Sequence, residues 1–327
     1  MKAFVSTALA LALIVSMAAC TSRKNESPSS SVAPSSSAAP SSSIASSLPS
    51  SSHAESGLAS DLESGVDEII SGAESLVTPT MSTDFDKIGA LDPAAVTWGP
   101  GVQVDPETNR TTACEQLQEK YGKYNAYFIA PAGSNKFYLT FDEGYENGYT
   151  PAILDVLKEK GVSAVFFVTG DFVRSNPELV QRMIDEGHVV GNHTNHHKVP
   201  VEQADVETCY QDIKELHDLV AEQFGYDMYL YRPPQGLFSE QTLAMVQDLG
   251  YTTVLWSFAY ADWDPDKQMG SEAALQKTTK MLHDGGIYLL HAVSKDNAAI
   301  LGELIDEAES RGMKICKWDL PVIEPDE

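Results

Sequence analysis

The chain is short of basic residues. Lys and Arg number 22 against 47 Asp and Glu, a net charge of −25 over 327 residues. Such a chain has no electrostatic footprint for nucleic acid and no basic patch for anionic lipid. Cysteine is scarce as well. There are four, none in a CxxC pair, so a cysteine-based zinc site is not expected. With Cys20 set aside, Cys114, Cys209 and Cys316 allow at most one internal disulfide, and the sequence leaves open which. No GxGxxG follows the first strand pattern, so the dinucleotide-binding fingerprint is missing. The apolar run Ala3–Ala19 is too short, and wrongly flanked, for a stable spanning helix.

That run has another use. Lys2 precedes it and M-A-A-C closes it at Cys20, the pattern of a bacterial lipoprotein signal. Cleavage before Cys20 and lipid on its sulfur would tether the protein to the outer face of a cell membrane without spanning it. Residues 1–20 are therefore expected to be a signal peptide. Residues 21–60 are dominated by SPSSSVAPSSSAAPSSS, which cannot bury enough apolar area to offset its ordering entropy, and reads as a spacer. Gly57–Val77 has a weak helical period interrupted by glycines. Residues 61–134 read as an N-terminal extension, partly ordered from about residue 97, and 135–322 as the main domain.

From Asn135 short apolar runs alternate with amphipathic helix patterns, the mark of βα units. The strand candidates are Lys136–Phe141, Ser163–Val168, His188–Gly191, Tyr229–Tyr231, Thr252–Ser257, Ile287–Leu290 and Lys314–Cys316. Thr150-Pro151 and Asn176-Pro177 give an N-cap followed by proline, and Ser239 and Ser271 read as N-caps. Gly161, Gly187, Gly250 and Gly312 fall where helices end. Asp205–Phe224 is the longest helix pattern, with Val206, Ile213, Leu216 and Val220 on one stripe. Seven strands with helices between most of them predict an incomplete (β/α)7 barrel, TIM-like, whose chemistry gathers at the C-terminal strand ends.

Polar residues recur at those ends. Asp142 and Glu143 follow the first strand, His193, His196 and His197 the third, Arg232 the fourth, Asp262 the fifth, and His291 ends the sixth. One turn of helix would bring His193 and His197 to one face, where two imidazoles can share a divalent ion and leave positions open for water. His196 is the spare. Asp142 and Glu143 can diverge, one toward the ion and one toward the water, or can be a solvated turn pair before Gly144. Arg232, stiffened by two prolines, would fix a carboxylate and lower its pKa. An Asp262–His291 pair would make a general acid. Trp263 is either a wall for a sugar face or core.

Together these motifs resemble the polysaccharide deacetylase (NodB-homology) family, carbohydrate esterase family 4. TFDEG resembles TFDDG, HTNHH matches H-[ST]-x-x-H, RPPQG resembles R-x-P-x-G, ADW matches the end of D-x-x-D-W, and LLH matches L-x-H. The longer strings FDEGYENGYTP, FFVTG, EGHVVGNH, YRPPQGLFSE and IYLLHAVSKDNA are most similar to the branch that deacetylates N-acetylmuramic acid in spore peptidoglycan, over about Thr97 to Leu320. The resemblance implies the NodB type of incomplete barrel and a monomer acting on a peptidoglycan glycan strand. It implies one divalent ion, zinc or another transition metal, on His193 and His197. It implies Asp142 as base, Arg232 as its orienter, His291 with Asp262 as acid, and the backbone N–H of Gln235 as oxyanion donor. Glu143 stands where the family's usual metal-binding Asp stands, and Ala259 where D-x-x-D-W has its first Asp. Gln235 itself replaces a common aromatic. The last two departures suit a wider site, as for a lactyl-bearing sugar. Deacetylation of N-acetylglucosamine, in peptidoglycan or chitin-like oligomers, is the alternative reaction. A non-catalytic glycan-binding lipoprotein is the alternative of another class.

Overall fold

A computed structural model describes residues 79–101 and 103–323. The signal peptide with Cys20, the Ser/Pro spacer and the glycine-interrupted segment up to Val77 lie outside the described residues. Among the described residues there are ten strands: β1 (Val96–Thr97), β2 (Ala126–Tyr127), β3 (Lys136–Glu143), β4 (Val165–Val168), β5 (Val189–Asn192), β6 (Leu230–Tyr231), β7 (Leu237–Phe238), β8 (Thr252–Val254), β9 (Gly286–His291) and β10 (Lys314–Ile315). The nine α-helices of the same residues are α1 (Phe85–Gly89), α2 (Thr112–Tyr121), α3 (Thr150–Lys160), α4 (Gly170–Ser175), α5 (Pro177–Asp185), α6 (Val206–Phe224), α7 (Glu240–Asp248), α8 (Ser271–Lys280) and α9 (Lys295–Ser310). Among the described residues no helix is long and apolar enough to cross a membrane.

The main sheet is built from parallel pairings. The strands run β10-β3-β4-β5-β6-β8-β2, and β9 also pairs with β3. Beyond β8 the chain bridges to β9 through Phe258 and Tyr288, which curls the sheet toward itself. This is the expected incomplete barrel. Alternation sorts the side chains. Tyr138, Val165, Phe167, Val189, Leu230, Val254 and Ile287 cluster together inside the curl. Phe137, Leu139, Phe141, Phe166, Val168 and Val190 face the helices.

The seven expected strands all occur, and an eighth, β2, joins the sheet beside β8. It comes from the extension before residue 135, and the described residues all fall in one compact unit. The boundary expected at 135 therefore separates no folding units, and regular structure occurs before residue 97, in α1. The long helix starts one residue later than expected because Asp205 is its N-cap, accepting from the Thr208 N–H. Ser239 caps α7 in a full capping box. Two capping expectations are corrected. Thr150 is the first residue of α3 rather than its cap, and Gly270 (φ +92°) caps α8 in place of Ser271. Cys114, Cys209 and Cys316 are all unpaired; the first two are buried in separate clusters.

Candidate active site

Strand register sets the site. Asp142 is level with His291 on β9 and with Phe167 on β4. Val168 is level with Asn192 on β5, and Asn192 with Tyr231 on β6. His193 and Arg232 are therefore the next residues out on their strands. Asp142, His193, His197, Gln235, Trp263 and His291 all line one cavity of about 980 Å³.

Asp142 has the interior parity of Tyr138 and Thr140. Arg232 reaches it across the curl, with Nη1 2.8 Å from Oδ1. The guanidinium has no freedom to swing. Nε donates to the Val254 carbonyl, Nη2 donates to the Leu255 carbonyl, and the group lies 4.1 Å above the Phe167 ring. Burial of Asp142 would raise its pKa, but the charge of Arg232, helped by His193 and His291, outweighs this and holds the carboxyl below its ordinary range.

His193 and His197 meet with ring centroids 4.9 Å apart. They do so without the expected turn of helix. The segment is a loop in which Thr194 (φ +65°) and His197 (φ +54°) take left-handed conformations, and this folds the chain back on itself. Nδ1 of His193 lies 2.8 Å from the Arg232 carbonyl, which can only accept, so Nδ1 carries the hydrogen and Nε2 a lone pair. Burial pushes this ring's pKa down to about 4, so it is neutral at neutral pH. Its Nε2 is 3.5 Å from Oδ2 of Asp142. A lone pair facing an ionised carboxylate is unfavourable unless a cation stands between them. Two imidazoles beside a carboxylate also form a donor set that suits zinc and its neighbours. The residues fit a divalent ion.

Glu143 does not join them. β3 continues through this residue, so alternation still governs it. It is turned to the helix-covered face that holds Phe137, Leu139 and Phe141. Its carboxylate meets the Thr150 hydroxyl, 3.4 Å from each oxygen. Burial, reinforced by the nearby Glu146, pushes its pKa well above the ordinary carboxylate value. The reading of Glu143 as a metal ligand is corrected on this geometry, and the carboxylate facing the histidines is that of Asp142.

Beside Asp142 on the neighbouring strand β9, His291 donates from Nδ1 to Oδ1 of Asp262 at 2.7 Å, which leaves Nε2 as the ring's other nitrogen. Asp262 is fully buried. Its Oδ2 accepts from the His291 backbone N–H at 2.8 Å and from Nδ2 of Asn297 at 2.6 Å. Burial would lower the His291 pKa, but the charge and hydrogen bond of Asp262 outweigh it and raise the value. Trp263 is 59% exposed, so it is a cavity wall rather than core. Gln235 sits at φ +58°, ψ +7° in the turn after the two prolines. Gly236 follows at φ +67°, where a Cβ would meet the Trp256 ring at 2.6 Å, so this turn requires glycine. His196 lines the cavity too, with Nδ1 2.5 Å from Oδ1 of the buried Asp212.

Two contributors escaped the sequence reading. Asn297, on α9, holds Asp262, and only its place six residues after His291 hints at this. Trp98 lines the cavity from the extension because β1 pairs with β7 and the Trp98 N–H donates to the Gly236 carbonyl.

Comparison with known proteins gives the same architecture. The family model for polysaccharide deacetylase matches residues 129–254. The chain is 44% identical to the peptidoglycan-N-acetylmuramic acid deacetylase PdaA of Bacillus subtilis, over 61% of this chain and 76% of that one. It is 34% identical to the peptidoglycan-N-acetylglucosamine deacetylase PgdA of Listeria monocytogenes, over 58% of this chain but 40% of that one. The solved structure of Bacillus subtilis PdaA, a family 4 carbohydrate esterase, superposes with a TM-score of 0.65 at 38% identity, covering 69% of this chain and 96% of that one. A family 4 carbohydrate esterase from Bacillus anthracis superposes with a TM-score of 0.56 at 36% identity, covering 69% and 95%.

Proposed function

Given that this chain belongs to the polysaccharide deacetylase family, we propose that it hydrolyses the acetamide of N-acetylmuramic acid in peptidoglycan, releasing acetate and leaving a free amine on the glycan. The observation that carries this reading is one cavity with a buried carboxylate clamped by Arg232 on one side and an Asp262–His291 pair on the other. The similarity to PdaA supports muramic acid as the sugar.

Asp142 is ionised and oriented, so it can take the proton of a water as that water's oxygen bonds to the acetyl carbon. His291, whose protonated form Asp262 favours, gives its proton to the departing nitrogen as the C–N bond breaks. The Gln235 N–H is the donor assigned to the oxyanion. His193 and His197 would hold a divalent ion, zinc or another transition metal, beside the Asp142 carboxylate. Such an ion, when bound, supplies Lewis acidity toward water and the acetamide carbonyl. Trp263 offers an aromatic face to the sugar ring.

The apolar run ending at Cys20 and the Ser/Pro spacer support a lipid anchor at Cys20 on the extracytoplasmic face of the membrane, with the catalytic unit reaching the wall as a monomer. Acetate release from glycan strands whose muramic acid has lost its peptide tests the reaction. Retention of acetate by every glycan offered, with the metal supplied, would refute it.

A further inference from the structure

The substrate named above carries a carboxylate that N-acetylglucosamine lacks, and this inference rests on that reading. The lactyl group sits on the carbon next to the one that bears the acetamide, so its charge must fall within one sugar's width of the reacting bond. The cavity is poorly furnished for an anion. Among the described residues its lining includes Asp142 and Asp171 but no Lys or Arg.

One guanidinium touches two residues of that lining, Asn195 and Asp171. Arg174, on α4, donates from Nη2 to Oδ1 of Asn195 at 2.5 Å, and Asn195 lies in the loop between His193 and His197. Room for this contact is built into the backbone. A Cβ at Gly170 would meet Oδ1 of Asn195 at 1.9 Å and Nη1 of Arg174 at 2.7 Å, so any larger residue there would break the pair. Arg174 is also 3.5 Å from Asp171, but that partner is 84% exposed and the pair is an i,i+3 surface contact. Such pairs contribute little and are screened by salt. Nearly half of the Arg174 side chain is open to solvent, and a guanidinium has five donors in a fork that fits a carboxylate.

We propose that Arg174, positioned by Asn195 and Gly170, binds the lactyl carboxylate and is the residue that makes this cavity prefer muramic acid to glucosamine. The arrangement accounts for a binding site for an anion in a chain of net charge −25. It also assigns Asp171 an opposing effect, since its charge competes for the same guanidinium.

The test compares binding of N-acetylmuramic acid, its methyl ester and N-acetylglucosamine by calorimetry, for the wild type, Arg174→Gln and Asp171→Asn. The wild type should bind the acid about 10- to 100-fold more tightly than the ester, the range of one charge-assisted hydrogen-bonded pair. Arg174→Gln should lose that margin and leave the ester and N-acetylglucosamine within about twofold, and Asp171→Asn should widen it. Equal binding of acid and ester by the wild type, or an equal loss on all three ligands in Arg174→Gln, would overturn the proposal. Melting curves of the folded variants separate this from misfolding. Because binding is read without turnover, a wild type that prefers the acid but releases no acetate refutes the reaction and leaves this site standing.

Discussion

The Arg232 guanidinium stands 2.8 Å from Oδ1 of Asp142, with neither group open to solvent. The pair joins β6 to β3 across the curl of the sheet and sets which way the Asp142 carboxylate faces. Breaking such a buried pair from one side leaves an uncompensated charge. Arg232→Gln should therefore cost about 3–5 kcal/mol of stability. Asp142→Asn leaves the fully buried Arg232 uncompensated and should cost a similar amount of stability, and should lower turnover by at least about 10²-fold while substrate binding persists. Urea titration and acetate kinetics on the two variants check both statements.

Glu143 gives the opposite expectation. Its carboxyl is buried against Thr150 and away from the histidines, so Glu143→Gln should keep metal content unchanged and turnover close to that of wild type. Its folded pKa is raised, so between the ordinary carboxylate value and the folded one the folded state holds a proton that the unfolded state has released. Stability from this group is present at low pH and declines as pH rises from the ordinary carboxylate range toward the folded value. Glu143→Gln should thus raise the melting temperature at neutral pH and do so less in acid. Loss of bound metal in Glu143→Gln would instead make this residue a ligand.

The pH–rate profile follows from two shifts of opposite sign. Asp142 is held below its ordinary value, so its limb lies below the usual carboxylate range. His291 is raised, so its limb lies above the ordinary imidazole value of about 6.5. Activity should be flat between them. Asp262→Asn removes the charge that raises His291, so the alkaline limb should move down toward or below that ordinary value as kcat falls. An unmoved limb would take Asp262 out of the role given to it.

His193→Ala and His197→Ala should each lose bound divalent ion in metal analysis and lose acetate release. The fold should persist, because both residues sit in the loop beyond β5 rather than in the sheet. Chelation of the wild type should reproduce the loss, and added zinc or another transition metal should reverse it.

Much of this site could be read from the chain because strands advertise themselves. KFYLTF, VFFV and IYLL are apolar runs bounded by turn residues, and the polar residues beyond such runs mark the catalytic end of a barrel. The missing parts are those set by tertiary contact. β2 is two residues long and has no pattern of its own; it forms because β8 offers an open edge. His193 and His197 suggested a helix by their spacing, yet left-handed residues bring them together. The family resemblance gave Asp142 and Glu143 in TFDEG different roles at one site, and only the strand's continuation through Glu143 turns the second to the other face. Arg174 carried no motif at all, since its meaning lies in Asn195 and Gly170.

The central claim is that this cavity removes acetyl groups from muramic acid. The direct measurement is mass spectrometry of peptide-free glycan after incubation with the metal-loaded wild type, locating the new amine. The account predicts loss of one acetyl group from muramic acid with stoichiometric acetate, absent with Asp142→Asn. A free amine on glucosamine alone, or none on any sugar, would contradict it.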